Sequence, residues 1–220
     1  SLNGQAYLVD AKVEAKAGAK TEQEPRLISN ASHRQSAYKA SPSGKKISFV
    51  RSGDLYLQDA ILDSSQPSHE NSDLVTTELR VTSDASDTIS NGLADFLAAE
   101  EMHRFDGHWW SPCEQHLFFC KVDDAPVAVS YRLEIDAGGS RTVEQRYPYT
   151  GQANPHVCLY RYDLSTATTT LLWEPTESEV YLARISPLRS GLYIQVQDRL
   201  QQTLWLKKTG YSEHDWLTLF

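Results

Sequence analysis

These 220 residues contain no apolar run of the roughly 18 residues that would span a membrane. Cysteine is scarce. Cys113, Cys120 and Cys158 are an odd number with no CxxC spacing, so neither a disulfide framework nor a zinc site is indicated. Two readings stand: buried free thiols, which are favoured, or a single Cys113–Cys120 bridge. Positive charge is in deficit, with 21 Lys and Arg against 29 Asp and Glu, for a net charge of −8. That balance opposes nucleic-acid backbones, and no basic stripe interleaved with aromatics is present, so no nucleic-acid partner is expected. HExxH is missing. His103 and His108, with Asp106 between them, have a spacing suggestive of a metal cluster but lack the companions it needs, so no metal and no cofactor are expected. G-x-S-x-G, the nucleophile elbow of serine hydrolases, is also missing. Ser140 sits in "GGSRT", which does not fit it, so no catalytic residue is assigned in this chain. The opening "SLNGQAYLVDAKVEAKAG" has neither the basic start nor the apolar block of a secretory signal.

What is present is material for a core. Hydrophobic residues make up 40% and aromatics 10%, with eleven Tyr, six Phe and five Trp. The apolar residues recur in short alternating runs, and the runs recur in turn. "SPSGKKISFVRSGDLYLQD", "SPCEQHLFFCKVDD" and "SPLRSGLYIQVQD" each carry Ser-Pro, a polar turn and an alternating strand. Their Ser-Pro pairs begin at positions 41, 111 and 186, steps of 70 and 75. A plain propeller blade repeats every 40–50 residues or so, so each step reads as one blade with an insertion. Pro42 suits the second position of a type I turn and Gly44 the positive-φ position after it. "ISFV" then pairs with "LYLQD", and "CLYRYDLSTATTTLLW" forms another hairpin. "AYLVDA" and "PRLIS" read as the last two strands of an earlier blade. The expectation is an all-β chain. It is a partial β-propeller of about three four-stranded antiparallel blades that starts within a repeat and stops without a closing unit.

Two insertions interrupt the blades. Residues 61–77 are polar and read as a loop. Residues 122–155 hold two alternating runs, "VAVSYRLEI" and "TVEQRYPY", around Gly138-Gly139. They read as a protruding hairpin arm, assigned to 122–150, with Asp123 and Asp124 before Pro126 marking a turn at its base. Both edges of such an arm are open, which calls for a partner surface. Tyr147, Pro148 and Tyr149 suit either a dimer contact or the hairpin's own core.

One helix is expected, at 93–105, capped by Ser90 or Asn91 with Asp95 in its first turn. At roughly 100° per residue, Leu93, Phe96 and Leu97 define an apolar stripe, and Glu100 and Arg104 fall inside it with Glu101 at its border. Two functions fit the adjacent acids. One is an i, i+4 salt bridge between Glu100 and Arg104, worth about 0.2–0.5 kcal/mol. The other is a cation trap, in which two inward carboxylates hold one positive group. A peptide α-amine has a pKa of about 7.7–8.0 and is mostly protonated at neutral pH. Each charge pair at 4 Å contributes about 4 kcal/mol at an effective dielectric of 20, before desolvation. Trp109 and Trp110, which follow, read as blade core, with a substrate wall as the lesser alternative.

"TISNGLADFLAAEEMHRFDGHWWSP" resembles the double-glutamate motif of the dipeptidyl peptidase IV family, a branch of the prolyl oligopeptidase clan. "RTVEQRYPYTGQANPHV" resembles the family's stretch after its blade extension, and "SPSGKKISFVRSGDLYLQD" its blade pattern. The resemblance covers nearly the whole chain and is weakest at 61–77 and after 200. It implies that 1–220 is a portion of an N-terminal propeller whose partner, a C-terminal α/β-hydrolase domain, lies outside this chain. It also implies a serine dipeptidyl aminopeptidase that removes Xaa-Pro or Xaa-Ala from peptides with a free N-terminus. Glu100 and Glu101 would bind the α-ammonium, and the arm would contribute to a homodimer. By this register the family's carbonyl-binding arginine precedes Ser1. A periplasmic address fits the family's bacterial members. The isolated chain should be inactive. The competing function is a non-catalytic propeller that acts as an interaction scaffold.

Overall fold

The computed structural model describes residues 7–8, 26–27, 35–60, 78–211 and 215–220. The loop expected at 61–77 lies outside the described residues, as do His33, His69 and His214. Strands β1 (Tyr7–Leu8) and β2 (Arg26–Leu27) pair antiparallel, as the reading of an earlier blade's last strands requires. Three antiparallel sheets of blade form follow. The first blade is β3 (Gln35–Ala40), β4 (Lys46–Arg51), β5 (Asp54–Asp59) and β6 (Leu79–Arg80), in that order. Next come β7 (Ile89–Asn91), helix α1 (Phe96–Glu100), β8 (His108–Trp110) and β9 (His116–Asp123). The arm, β10 (Val129–Asp136) and β11 (Gly139–Arg146), leaves the second blade before β12 (His156–Asp163) and β13 (Thr168–Trp173) complete it. That blade runs β13-β12-β9, with β8 and β7 both pairing with β9. The third blade is β14 (Tyr181–Leu188), β15 (Gly191–Gln197), β16 (Leu204–Thr209) and β17 (Leu217–Thr218).

The repeated turns show why the Ser-Pro pairs matter. In the first blade Gly44 N–H donates to Ser41 O at 2.8 Å, Ser41 N–H to Lys46 O at 2.8 Å, and Gly44 has φ +73°. The second blade repeats both bonds, with Glu114 N–H to Ser111 O and Ser111 N–H to His116 O, each at 2.9 Å. There the left-handed position is held by Glu114 at φ +58°, and its carboxylate accepts from Ser43 Oγ at 2.8 Å, joining the two turns. The third repeat differs from expectation. Ser186 and Pro187 lie within β14, paired with Tyr193 and Leu192, and the hairpin turns after Leu188. Gly191 takes the tight position at φ +133°, where a Cβ would meet Thr209 O at 2.5 Å.

The core is two seams between blades, and β9 supplies both. Leu117 and Phe119 face the first blade, packing with Val50, Leu55 and Trp110. Phe118, Cys120 and Val122 face the third, with Leu159, Leu182 and Ile194. A strand buried on both faces reads as a continuous apolar run, which is what "HLFFCKV" is. At the first seam His108 lies fully buried. Its Nδ1 is 2.9 Å from Gly92 O, an acceptor only, so Nδ1 carries the proton. Nε2 then accepts from Ser48 Oγ at 2.9 Å, and Ser48 Oγ accepts from Trp110 Nε1 at 3.0 Å. Both ring nitrogens are therefore engaged. Burial pushes the His108 pKa down to about 4.

The cysteines are all free. The alternative Cys113–Cys120 bridge does not form, because Cys113 is exposed at a turn while Cys120 is buried in the second seam. Burial raises both Cys120 and Cys158 to about 11, so neither is a reactive thiolate. Among the described residues, no helix is long and apolar enough to cross a membrane.

Candidate functional site: the acidic pair on α1

Residues 92–107 form a closed loop standing on β9. Gly92 N–H donates to Cys120 O, and Cys120 N–H to Gly107 O, each at 2.8 Å. Leu93 and Asp106 close the neck as an isolated bridge. The contact is backbone on backbone: a Cβ on Gly107 would lie 2.1 Å from the Leu93 carbonyl carbon, so only glycine fits.

Within this loop the helix is much shorter than the 93–105 expected. Its N-cap is Asp95 rather than Ser90 or Asn91, with Asp95 Oδ2 accepting from Ala98 N–H at 3.1 Å. Glu101 is the C-cap, its N–H donating to Leu97 O at 2.9 Å. His103 then adopts φ +50°, and Arg104 N–H reaches back to Ala98 O at 2.8 Å, which ends the helical ladder. Leu93 is extended in the neck, so the helical wheel started from it does not apply.

That shift of frame corrects two expectations. Glu100 is exposed, not set in a buried stripe, and Glu101 beside it is exposed too. Arg104 is the inward residue, 5% exposed, and its partner is not Glu100. Arg104 Nη2 donates to Asp95 Oδ1 at 3.0 Å, Nη1 donates to Asp106 O at 2.8 Å, and Nη1 is 3.8 Å from Cys120 Sγ. The Glu100–Arg104 salt bridge is thus replaced by a buried Asp95–Arg104 pair. The cue was available in the sequence. An arginine among apolar positions needs a buried acid, and Asp95 is the acid that the N-cap turns inward.

Phe96 meets Tyr147 at 5.0 Å, edge on, and Tyr147 meets Tyr149 at 4.7 Å. Tyr147 packs on α1 and Tyr149 packs on Tyr147, so the base of the arm braces the helix. The lining of an open groove of about 380 Å³ begins, in sequence, two residues beyond Glu101. The groove is lined by His103, Arg104, Phe105, Asp106, Trp109, Arg184 and Ile185. Phe105 is 72% exposed, Lys39 of the first blade pairs with Asp106 at 2.7 Å, and Arg104 lies 5.9 Å from the Trp109 ring. Trp110 is buried in the first seam, and Trp109 packs against the second while lining the groove. The loop therefore carries two exposed carboxylates that have no ion-pair partner among the described residues, and the four residues His103 to Asp106 that follow soon after them line an aromatic-walled groove. Phe105, Arg184 and the tyrosine brace were not singled out for this site from the sequence. Among the described residues no cluster of His, Cys, Asp and Glu could hold a metal.

Three antiparallel blades packed side by side, the first and third four-stranded and the second five-stranded with a helix-bearing loop and an arm inserted in it, define a β-propeller region. Residues 1–215 match the model of the dipeptidyl peptidase IV N-terminal region, and the chain belongs to that family. The fold is similar to that of Porphyromonas gingivalis dipeptidyl peptidase 4, with a TM-score of 0.74 and 21% identity over 89% of this chain and 26% of that one. The mouse protein named inactive dipeptidyl peptidase 10 is 37% identical over 109 residues, 48% of this chain and 14% of the relative. Dipeptidyl aminopeptidase B of Saccharomyces cerevisiae is 28% identical over 134 residues, 59% of this chain and 15% of the relative. The chain thus spans about a seventh of the length of these curated relatives.

Proposed function

We propose that this chain is the substrate-gating propeller portion of a serine dipeptidyl aminopeptidase, and that Glu100 and Glu101 bind the α-ammonium of a peptide. The observation that carries the reading is two adjacent exposed carboxylates, with no ion-pair partner among the described residues, on a loop whose next residues, His103 to Asp106, line an open groove. Peptides that begin with Xaa-Pro or Xaa-Ala and have a free N-terminus are the substrate class that the family resemblance suggests. The nucleophile belongs to a C-terminal α/β-hydrolase domain. Ser140 is exposed on the arm opposite Ile135 and plays no part.

Electrostatics explains why the propeller needs that second domain. In open water one charge contact at 4 Å contributes about 1 kcal/mol, but about 4 kcal/mol at an effective dielectric of 20. Exposed glutamates therefore grip an ammonium weakly until another surface covers them. These 220 residues alone are inactive, and they discriminate poorly between free and blocked N-termini. The arm is assigned to a homodimer contact: Val129, Tyr131, Leu133 and Ile135 form an exposed apolar strip along one face of β10.

The test uses the full-length protein. Glu100→Gln combined with Glu101→Gln abolishes cleavage of free-amine Gly-Pro and Ala-Pro amides, while the far-UV spectrum and melting temperature stay those of the parent. Unchanged kcat/KM would sink the proposal. A second reading, a non-catalytic interaction scaffold, is favoured by the identity to a relative whose name declares it inactive. Absence of any dipeptidyl turnover from the unmodified full-length protein would select it.

A further inference from the structure

We propose that the buried Asp95–Arg104 pair is the positioning device of the acidic site, fixing where Glu100 and Glu101 stand. The proposal rests on the ammonium-binding reading above. Helix α1 has five residues. Isolated helices shorter than about 12 residues are marginal in water, so this one cannot set its own direction. The direction comes from side chains at its two ends. Asp95, 8% exposed, uses one oxygen to cap Ala98 N–H and the other to receive Arg104. Arg104 closes the opposite end. Its backbone N–H returns to Ala98 O, and its second guanidinium nitrogen is held by Asp106 O beside Cys120 of β9. Glu100 and Glu101 lie between these two anchors, tied to the second blade through one guanidinium.

The planar fork of arginine matters here, because it bonds Asp95 and Asp106 O in two directions at once, whereas lysine supplies a point charge. A buried ion pair commonly adds little net stability over an apolar pair of similar volume. Asparagine caps a helix about as well as aspartate. Asp95→Asn with Arg104→Met therefore keeps the cap and the packing but removes the directional tie. If the pair only helped the chain fold, a folded double variant would bind normally.

The test measures, by titration calorimetry on the full-length protein, binding of the dipeptide Ala-Pro and of N-acetyl-Ala-Pro, with melting temperature recorded for each variant. The parent prefers the free amine, and Glu100→Gln with Glu101→Gln removes that preference. Asp95→Asn with Arg104→Met melts within a few degrees of the parent yet loses at least tenfold of the preference. Arg104→Lys, which keeps the charge, loses about threefold or more. Should the double variant fold poorly, Arg104→Lys decides alone. Full preference in either folded variant, with the glutamine variant still defective, overturns the positioning role and leaves the ammonium site standing. No preference in the parent overturns both.

Discussion

The second blade contains two antiparallel strand pairs of similar length and opposite fate. β9 and β12 pair over eight residues and sit in the core, with Leu117, Phe118 and Cys120 fully buried. β10 and β11 also pair over eight residues, yet Tyr131, Leu133 and Ile135 are 69%, 62% and 76% exposed. Both ladders are regular, but β9 carries a continuous apolar run where β10 carries apolar residues at a period of two. The difference is neighbours: β9 has a blade on each face, and among the described residues the arm has none. Backbone pairing sets the shape of either element, while burial between blades decides which one stabilises the fold.

The sharpest way to test that contrast is to truncate one large side chain in each region. Phe119→Ala removes a ring buried in the first seam and costs about 3–5 kcal/mol. Ile135→Ala on the arm costs under about 0.5 kcal/mol, as surface changes do. Denaturant midpoints of the propeller transition report both. Equal losses would mean that the arm packs as core.

The next effect is electrostatic and confined to the seam. His108 is buried neutral, its pKa depressed from 6.5 to about 4 by desolvation. In the unfolded chain it binds a proton near pH 6.5, while in the fold it resists until about pH 4. The unfolded state therefore gains protons first as pH falls. Stability is fully present above pH 6.5 and declines between there and about pH 4. The shift corresponds to roughly 3 kcal/mol at most. Unfolding free energy measured from pH 7 to pH 4 should fall across that window, and His108→Asn should flatten the slope. A slope unchanged in the variant would remove His108 from the account.

How much of this was legible beforehand follows the same division. Short-range pattern was readable: the Ser-Pro turn with Gly44, the β4–β5 and β12–β13 hairpins and the arm's two strands all follow from alternation and turn chemistry. The third Ser-Pro pair misled because a dipeptide does not distinguish a turn from a strand end, and Pro187 is accommodated in β14. The helix misled for a different reason. Its length is set by the neck where Leu93 meets Asp106, a contact between residues 13 apart that no helical period encodes. Once the neck fixes the frame, Arg104 turns inward and the glutamates outward. The two adjacent glutamates could be named from the sequence, but their exposure depended on tertiary closure.

The smallest stability effect lies in the arm, where it carries the most information about assembly. Glu134 bridges Arg132 and Arg141, each at 2.6 Å, with the arginines 51% and 73% exposed. Exposed pairs contribute about 0–1 kcal/mol, so Glu134→Gln should shift the midpoint by less than about 0.5 kcal/mol. The apolar strip on the opposite face behaves differently if a second copy covers it. Leu133→Ser with Ile135→Ser leaves the fold of each subunit intact, because neither side chain packs against the blades. In the full-length protein the same change exposes no new core but removes apolar contact from the proposed dimer interface. Analytical ultracentrifugation should therefore show the parent as a dimer and the double variant as a monomer, with melting of the isolated subunit unchanged. A parent that sediments as a monomer, or a variant that stays dimeric, would detach the arm from assembly and leave its exposed strip to another partner.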